Sequence, residues 1–360
     1  MFDYMNRINR VREIINKNEC DAFLSFCPID NRYLSGFTGS SSAIIITANH
    51  TLLFTDFRYL EQSSQEVSDY QIVIVKGELE KEVANALSSH NVKKVAIHPA
   101  KMNLLLMDTL KKQFSGEFIS VFYELSMLRI IKDEKEINLI KEACQITEKC
   151  VYNAVKNIKE GMTEKELSLR IDYEFRLSGA DGSAFDTIVL FGNRSSLPHG
   201  KPSDRTLNIG DIVLIDCGCV YKGYCSDLTR TFIFGAIPST WFMDIYTIVL
   251  NAQNKALSML KPNVLAKDVD SVARNIITGM GYGEYFGHGL GHGVGLEIHE
   301  PPRLNRESET ILEEGFVVTV EPGIYVPNRG GVRIEDAVVI TKNGCERLTV
   351  SDKELFVIPV

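Results

Sequence analysis

The sequence predicts two layered architectures in one chain of 360 residues: a smaller α/β domain with a mixed sheet over residues 1–123, then an α+β domain over residues 124–360. Three observations carry this reading. At about 150 residues per domain, the length suits two or three domains. Strand-like and helix-like segments alternate through the first third, as α/β layers require. Beyond Glu124, long amphipathic helices are mixed with antiparallel hairpins, which is the α+β pattern.

In chain order, Ile8, Val11, Ile14 and Ile15 share one face at helical spacing, and the polar residues 16–19 end that helix. Strands are expected at residues 22–26, 43–47, 52–55, 72–75, 94–98 and 118–122, with helices at 79–88 and 102–114. Asp133 and Glu136 have capping-box spacing and open a long helix whose apolar face runs from Ile137 to Ile158. Thr163 and Glu166 repeat the signal, and Gly179 stops the helix they begin. Two more helices are expected at about residues 240–260 and 266–279.

Composition excludes several function classes. Hydrophobic residues at 44% and charged residues at 24% are those of a folded globular chain rather than a disordered one. The 39 Lys and Arg against 47 Asp and Glu give a net charge of −8, which argues against a nucleic-acid or acidic-membrane footprint. No apolar run approaches the roughly 18–20 residues that span a bilayer, and the first 18 residues interleave charges with apolar residues where a signal peptide needs an apolar region. A cytoplasmic location is expected. Eight cysteines are too sparse for a disulfide scaffold, so buried thiols are the expectation.

The most informative segment, residues 211–234, reads as a hairpin turning near Lys222, which sets Asp216 opposite Asp227. Two facing carboxylates repel unless a cation lies between them. Residues 316–341 read as a second hairpin turning near Asn328, and Glu321 then faces Glu335. Four carboxylates on two hairpins balance two divalent cations, which suggests a dinuclear site. A nitrogen donor is expected in residues 287–300, where His288, His292 and His299 stand among five glycines. Each glycine costs a helix about 1 kcal/mol, so the segment is suited instead to close backbone approach. It lacks the Glu of a zincin helix. His199, in Leu197-Pro198-His199-Gly200, adds a further imidazole. Glycine-rich nucleotide loops and the serine-hydrolase elbow are missing from the sequence. Strand alternation turns Cys217 and Cys219 away from Asp216, so they and Cys225 are expected to be packing thiols. Trp241 is expected to pack at a helix end.

In order along the chain, Ser196-Leu197-Pro198-His199, Ile215-Asp216-Cys217-Gly218, Gly223 to Thr231, the three-histidine segment, Val320-Glu321-Pro322-Gly323 and Val332-Arg333-Ile334-Glu335-Asp336 resemble the pita-bread metallopeptidases, in their aminopeptidase P and prolidase branch. Tyr33 to Ser40 and Phe54 to Tyr59 resemble the creatinase-type N-terminal module. The resemblance implies a pita-bread fold for residues 124–360 and five metal ligands, Asp216, Asp227, His292, Glu321 and Glu335, with Asp227 and Glu335 bridging two ions. It implies that His199, His288 and His299 contact substrate and stabilise the tetrahedral intermediate, that Glu321 accepts and returns a proton, and that Arg333 supports the site. Residues 192–195, Gly-Asn-Arg-Ser, depart from the Gly-Pro-Asn-Ser type found more often in relatives.

A carboxylate-rich site with one imidazole suits hard to borderline ions, so Mn is the first choice, with Co, Zn or Fe as substitutes. The implied reaction is cleavage before proline in Xaa-Pro peptides, by an aminopeptidase or by a dipeptidase, in a homodimer. Two alternatives belong to other classes: a pita-bread scaffold that binds peptides or proteins without catalysis, and a metal-free creatinase-like amidinohydrolase. The complete ligand set opposes both.

Overall fold

The computed structural model describes residues 2–237 and 239–360, and the chain divides after Arg129 into two compact units. The division falls a few residues beyond the expected 123/124. The short helix Phe122–Ser126 and the turn Met127–Arg129 stay with the first unit, where Tyr33 Oη donates to the Leu128 carbonyl at 3.1 Å and Arg129 pairs with Asp30 at 2.7 Å.

The first unit is a six-stranded mixed sheet, in the order Gln71–Val75, Thr51–Asp56, Ala43–Thr47, Ala22–Ser25, Lys94–Ile97, Glu117–Ser120. Antiparallel pairing joins Ala22–Ser25 to Ala43–Thr47 and that strand to Thr51–Asp56, and the remaining neighbours are parallel. The strand Ala43–Thr47, apolar except for Thr47, is buried throughout because it lies inside the sheet. All six expected strands form. The last ends at Ser120 rather than residue 122, because Phe122 opens the short helix that follows.

In the second unit, helix Glu134–Lys156 opens on the capping box of Asp133 and Glu136, and helix Glu164–Leu177 on that of Thr163 and Glu166. Helices Thr240–Met259 and Ala266–Gly279 pack on each other. One sheet has four strands in the order Val357–Ile358, Leu228–Phe234, Ile212–Cys217, Ile188–Phe191, antiparallel except that Val357–Ile358 runs parallel to Leu228–Phe234, and the first two helices pack on it. The other is antiparallel, with five strands in the order Glu300–Leu304, Gly291–Gly293, Val317–Val320, Asp336–Thr341, Gly344–Arg347, and the second two helices pack on it. Helices over largely antiparallel sheets are the expected α+β arrangement.

Both expected hairpins form, and each is broken in the middle. In the first, the turn is the two-residue Lys222-Gly223, both with positive φ (47° and 85°), and Tyr221 pairs with Tyr224. Such a turn is centred between its two residues, so the register moves past the expected centre on Lys222. Asp216 therefore lies opposite Thr229, not Asp227, and the facing-carboxylate expectation is corrected at this pair. Asp227 falls instead in the break between Tyr224–Cys225 and Leu228–Phe234. In the second hairpin, Asn328 turns the chain at φ 61°, Gly323 pairs with Arg333 and Val320 with Asp336. One register thus runs through both halves, with Glu321 and Glu335 at matching positions in the break, as expected.

Candidate metal centre

Breaks in the two hairpins bring carboxylates to one place. A strand that stops pairing frees its side chains from strict alternation, so Asp227, Glu321 and Glu335 all turn into a cavity of about 650 Å3 between the sheets. Asp216 reaches it from the end of Ile212–Cys217. His292 enters from Gly291–Gly293, where a bulge between His292 and Gly293 re-aims the ring. Glycine on either side is a packing requirement: a Cβ on Gly291 would strike the Thr319 carbonyl, and one on Gly293 the Pro301 carbonyl.

His292 Nδ1 lies 3.1 Å from the Gly293 carbonyl, which can only accept, so Nδ1 carries the proton. Nε2 then presents a lone pair, 3.5 Å from Asp227 Oδ2 and 3.4 Å from Glu321 Oε1. Burial, with His299 beside it, lowers the His292 pKa to about 3, so the ring is neutral. Asp227, His292 and Glu335 each place one donor atom within 4.8 Å of the others. Burial and then mutual repulsion push Asp227 and Glu335 well above the usual carboxylate range, and burial raises Glu321 to about 8. Asp216 Oδ1 is buried without a hydrogen-bond partner. An orphaned acceptor, a directed lone pair and crowded carboxylates together make a group that could hold a divalent cation.

Around this set, Arg333 donates from Nη2 to Asp216 Oδ2 at 2.5 Å, from Nε to Thr229 Oγ1 at 3.0 Å and from Nη1 to Tyr325 Oη at 2.8 Å. Thr229 Oγ1 in turn donates to Glu335 Oε2 at 2.7 Å. The Glu335 carbonyl accepts from Arg230 Nη1 at 2.5 Å, and Arg230 is itself fixed by the fully buried Asp336 at 2.8 Å.

All nine residues singled out from the sequence line this one cavity: Asp216, Asp227, His292, Glu321, Glu335, His199, His288, His299 and Arg333. The rings of His299 and His292 meet edge to face at 4.4 Å. His288 stands differently from its expected role. Its Nδ1 is 2.8 Å from the Gly289 carbonyl and its Nε2 2.9 Å from Tyr325 Oη, so both nitrogens are engaged within the protein. Burial, reinforced by Arg333, lowers its pKa to about 4 and keeps the ring neutral.

Sequence reasoning missed Tyr325 and Arg303. Tyr325 is an apolar-looking position in a strand, with no spacing signal to mark it. Arg303 lies opposite His292 in the strand pair and lines the cavity with its side chain exposed. Cys217 and Cys219 are fully buried in the hydrophobic core, where burial raises both thiols, and Arg329 lies 4.1 Å over the ring of Trp241 at the start of its helix.

Residues 138–342 match metallopeptidase family M24, and residues 7–131 match the Creatinase/Prolidase N-terminal domain. An Xaa-Pro dipeptidase of Pyrococcus horikoshii is 42% identical over 98% of this chain and 100% of its own length. Among solved structures, an Xaa-Pro dipeptidase from Bacillus anthracis superposes with a TM-score of 0.96 at 40% identity, covering 99% of this chain and 100% of the other. An X-Pro aminopeptidase from Thermotoga maritima superposes with a TM-score of 0.92 at 41% identity, covering 98% and 100%.

Proposed function

This chain belongs to metallopeptidase family M24, and we propose that it hydrolyses Xaa-Pro dipeptides at the bond before proline, using two divalent ions. The observation that carries the reading is the set of donors around His292 Nε2, in a cavity large enough for a dipeptide. Asp216, Asp227, His292, Glu321 and Glu335 would hold the ions. When bound, the ions supply a hydroxide nucleophile at neutral pH and polarise the scissile carbonyl.

The remaining work falls to the chain. As in any amide hydrolysis, the leaving nitrogen, here that of proline, must receive a proton as the bond breaks. Glu321, a carboxylate in the cavity wall beside His292, is suited to accept one from the attacking water and return it. His199 and His299 line the cavity as hydrogen-bond donors for the charge that develops on the carbonyl oxygen. Arg333 holds Asp216 in place.

The dipeptide length is supported by Arg303. Its guanidinium makes no hydrogen bond among the described residues, and it lines the cavity as a receptor for a free carboxylate. Mn is the proposed ion, on the oxygen-rich donor set. A cytoplasmic location is supported by eight free thiols, and a homodimer by family resemblance. No helix among the described residues is long and apolar enough to cross a membrane.

The test compares an Xaa-Pro dipeptide with the same sequence extended by one residue, on the Mn-loaded full chain. Proline release from the dipeptide should dominate and should vanish on chelation. Faster cleavage of the extended peptide would overturn the dipeptide assignment, and no cleavage of either would overturn the hydrolytic reading.

A further inference from the structure

We infer that Asp270 and Arg274 form a positioning device that fixes the ring of His288, and through it Tyr325 and Arg333, beside the metal centre. The inference rests on the hydrolytic reading of the site, to which it adds two residues that touch neither the proposed ions nor the substrate cavity.

The two residues lie one turn apart on helix Ala266–Gly279, and their side chains are buried. Arg274 grips both carboxylate oxygens of Asp270, through Nε and Nη2, each at 2.8 Å. A pair meant only to neutralise its own charge would stop there. Instead Arg274 Nη1 donates to the Phe286 carbonyl at 2.9 Å and Nη2 to the His288 carbonyl at 2.8 Å, while Asp270 Oδ1 accepts from the Leu290 N–H at 3.1 Å. Three backbone groups on and around His288 are thus tied to one ion pair. The guanidinium also lies 4.2 Å over the Phe286 ring, whose edge meets the His288 ring at 5.1 Å.

The segment needs such a hold. Strand pairing begins only at Gly291, and the neighbours of His288 are Gly287 and Gly289, which bring no side chains to anchor it. The ring nevertheless meets two directional demands, donating from Nδ1 to the Gly289 carbonyl and accepting at Nε2 from Tyr325 Oη. Tyr325 Oη accepts from Arg333, and Arg333 reaches Asp216. A backbone shift at His288 would pass along this series to a proposed ligand, and a misplacement of about 1 Å can cost about 100-fold in rate.

The discriminating variant is Asp270→Leu with Arg274→Met, which removes the pair together and strands no buried charge. Imidazole 15N spectra of the full chain loaded with diamagnetic Zn, with the His288 signal identified by its loss in His288→Ala, should show a single Nδ1-protonated form in the wild type. In the double variant both tautomers should be populated. On an Xaa-Pro dipeptide, kcat should fall about 100-fold with KM little changed, and adding His288→Ala should cost no more. An unchanged tautomer and kcat in a variant whose thermal midpoint alone falls would reduce the pair to a structural staple and overturn the inference. Losses that multiply with His288→Ala would overturn it too. Should the double variant not fold, Arg274→Lys keeps the charge but cannot reach both carbonyls, and the same two readouts decide. A wild type that does not cleave the dipeptide would sink the hydrolytic reading alone, because the spectra still decide the positioning role.

Discussion

Tyr325 Oη stands 2.9 Å from His288 Nε2 and receives Arg333 Nη1 at 2.8 Å, which makes one phenol the joint between the glycine-rich segment and the second hairpin. Because the guanidinium can only donate, the phenol accepts from Arg333 and gives its own proton to His288. Burial raises the Tyr325 pKa to about 12, so the hydroxyl keeps that proton across the working pH range.

Tyr325→Phe keeps the ring and removes the joint, leaving His288 Nε2 and Arg333 Nη1 short of a partner. Stranding a buried polar group costs about 1–3 kcal/mol, so kcat should fall about tenfold or more while both ions stay bound. Kinetics paired with metal analysis check this. Loss of the ions instead would place Tyr325 in metal retention rather than in orientation.

Asp227→Asn and Glu335→Gln should each lower metal occupancy and turnover together, since each removes a charge from the donor group around His292. Two tightly held ions and a normal rate in either variant would remove these residues from the ligand set.

The metal-stripped protein should lose stability as pH rises. Burial holds Glu321 at about 8, against an ordinary 4.5, and pushes Glu335 and Asp227 upward as well. The folded state therefore binds more protons than the unfolded state between about pH 4.5 and pH 8. Stability is fully present below that window and declines through it. Thermal midpoints of stripped and Mn-loaded protein across the window test this, and the loaded protein should show a much smaller decline. A stripped protein that gains stability over the same range would contradict the crowding of carboxylates.

Cys217→Ala with Cys219→Ala should leave metal stoichiometry unchanged, because both thiols are buried in the hydrophobic core rather than in the cavity. Stability should drop by roughly 1–2 kcal/mol, as altered core packing commonly costs. An ion lost from a still-folded protein would tie these thiols to the site.

The sequence by itself determined the elements and the chemical character of the site. Apolar periodicity and capping residues are local signals, so the helices beginning at Glu134 and Glu164 and the six strands of the first unit were legible. So was the pairing frame of Glu321 and Glu335, because one left-handed residue, Asn328, sets the centre of that hairpin. The frame of Asp216 was not, because whether one or two residues adopt positive φ at Lys222-Gly223 changes the register, and composition does not decide it. Tertiary structure alone decided where the hairpins break, and hence that Asp227, Glu321 and Glu335 escape strand alternation into one cavity. It alone joined Asp270, Arg274, His288 and Tyr325, which come from a helix, a loop and a strand with no common spacing. Hydrogen bonds between such elements depend on how they pack, and packing is a property of the whole chain that no local window contains.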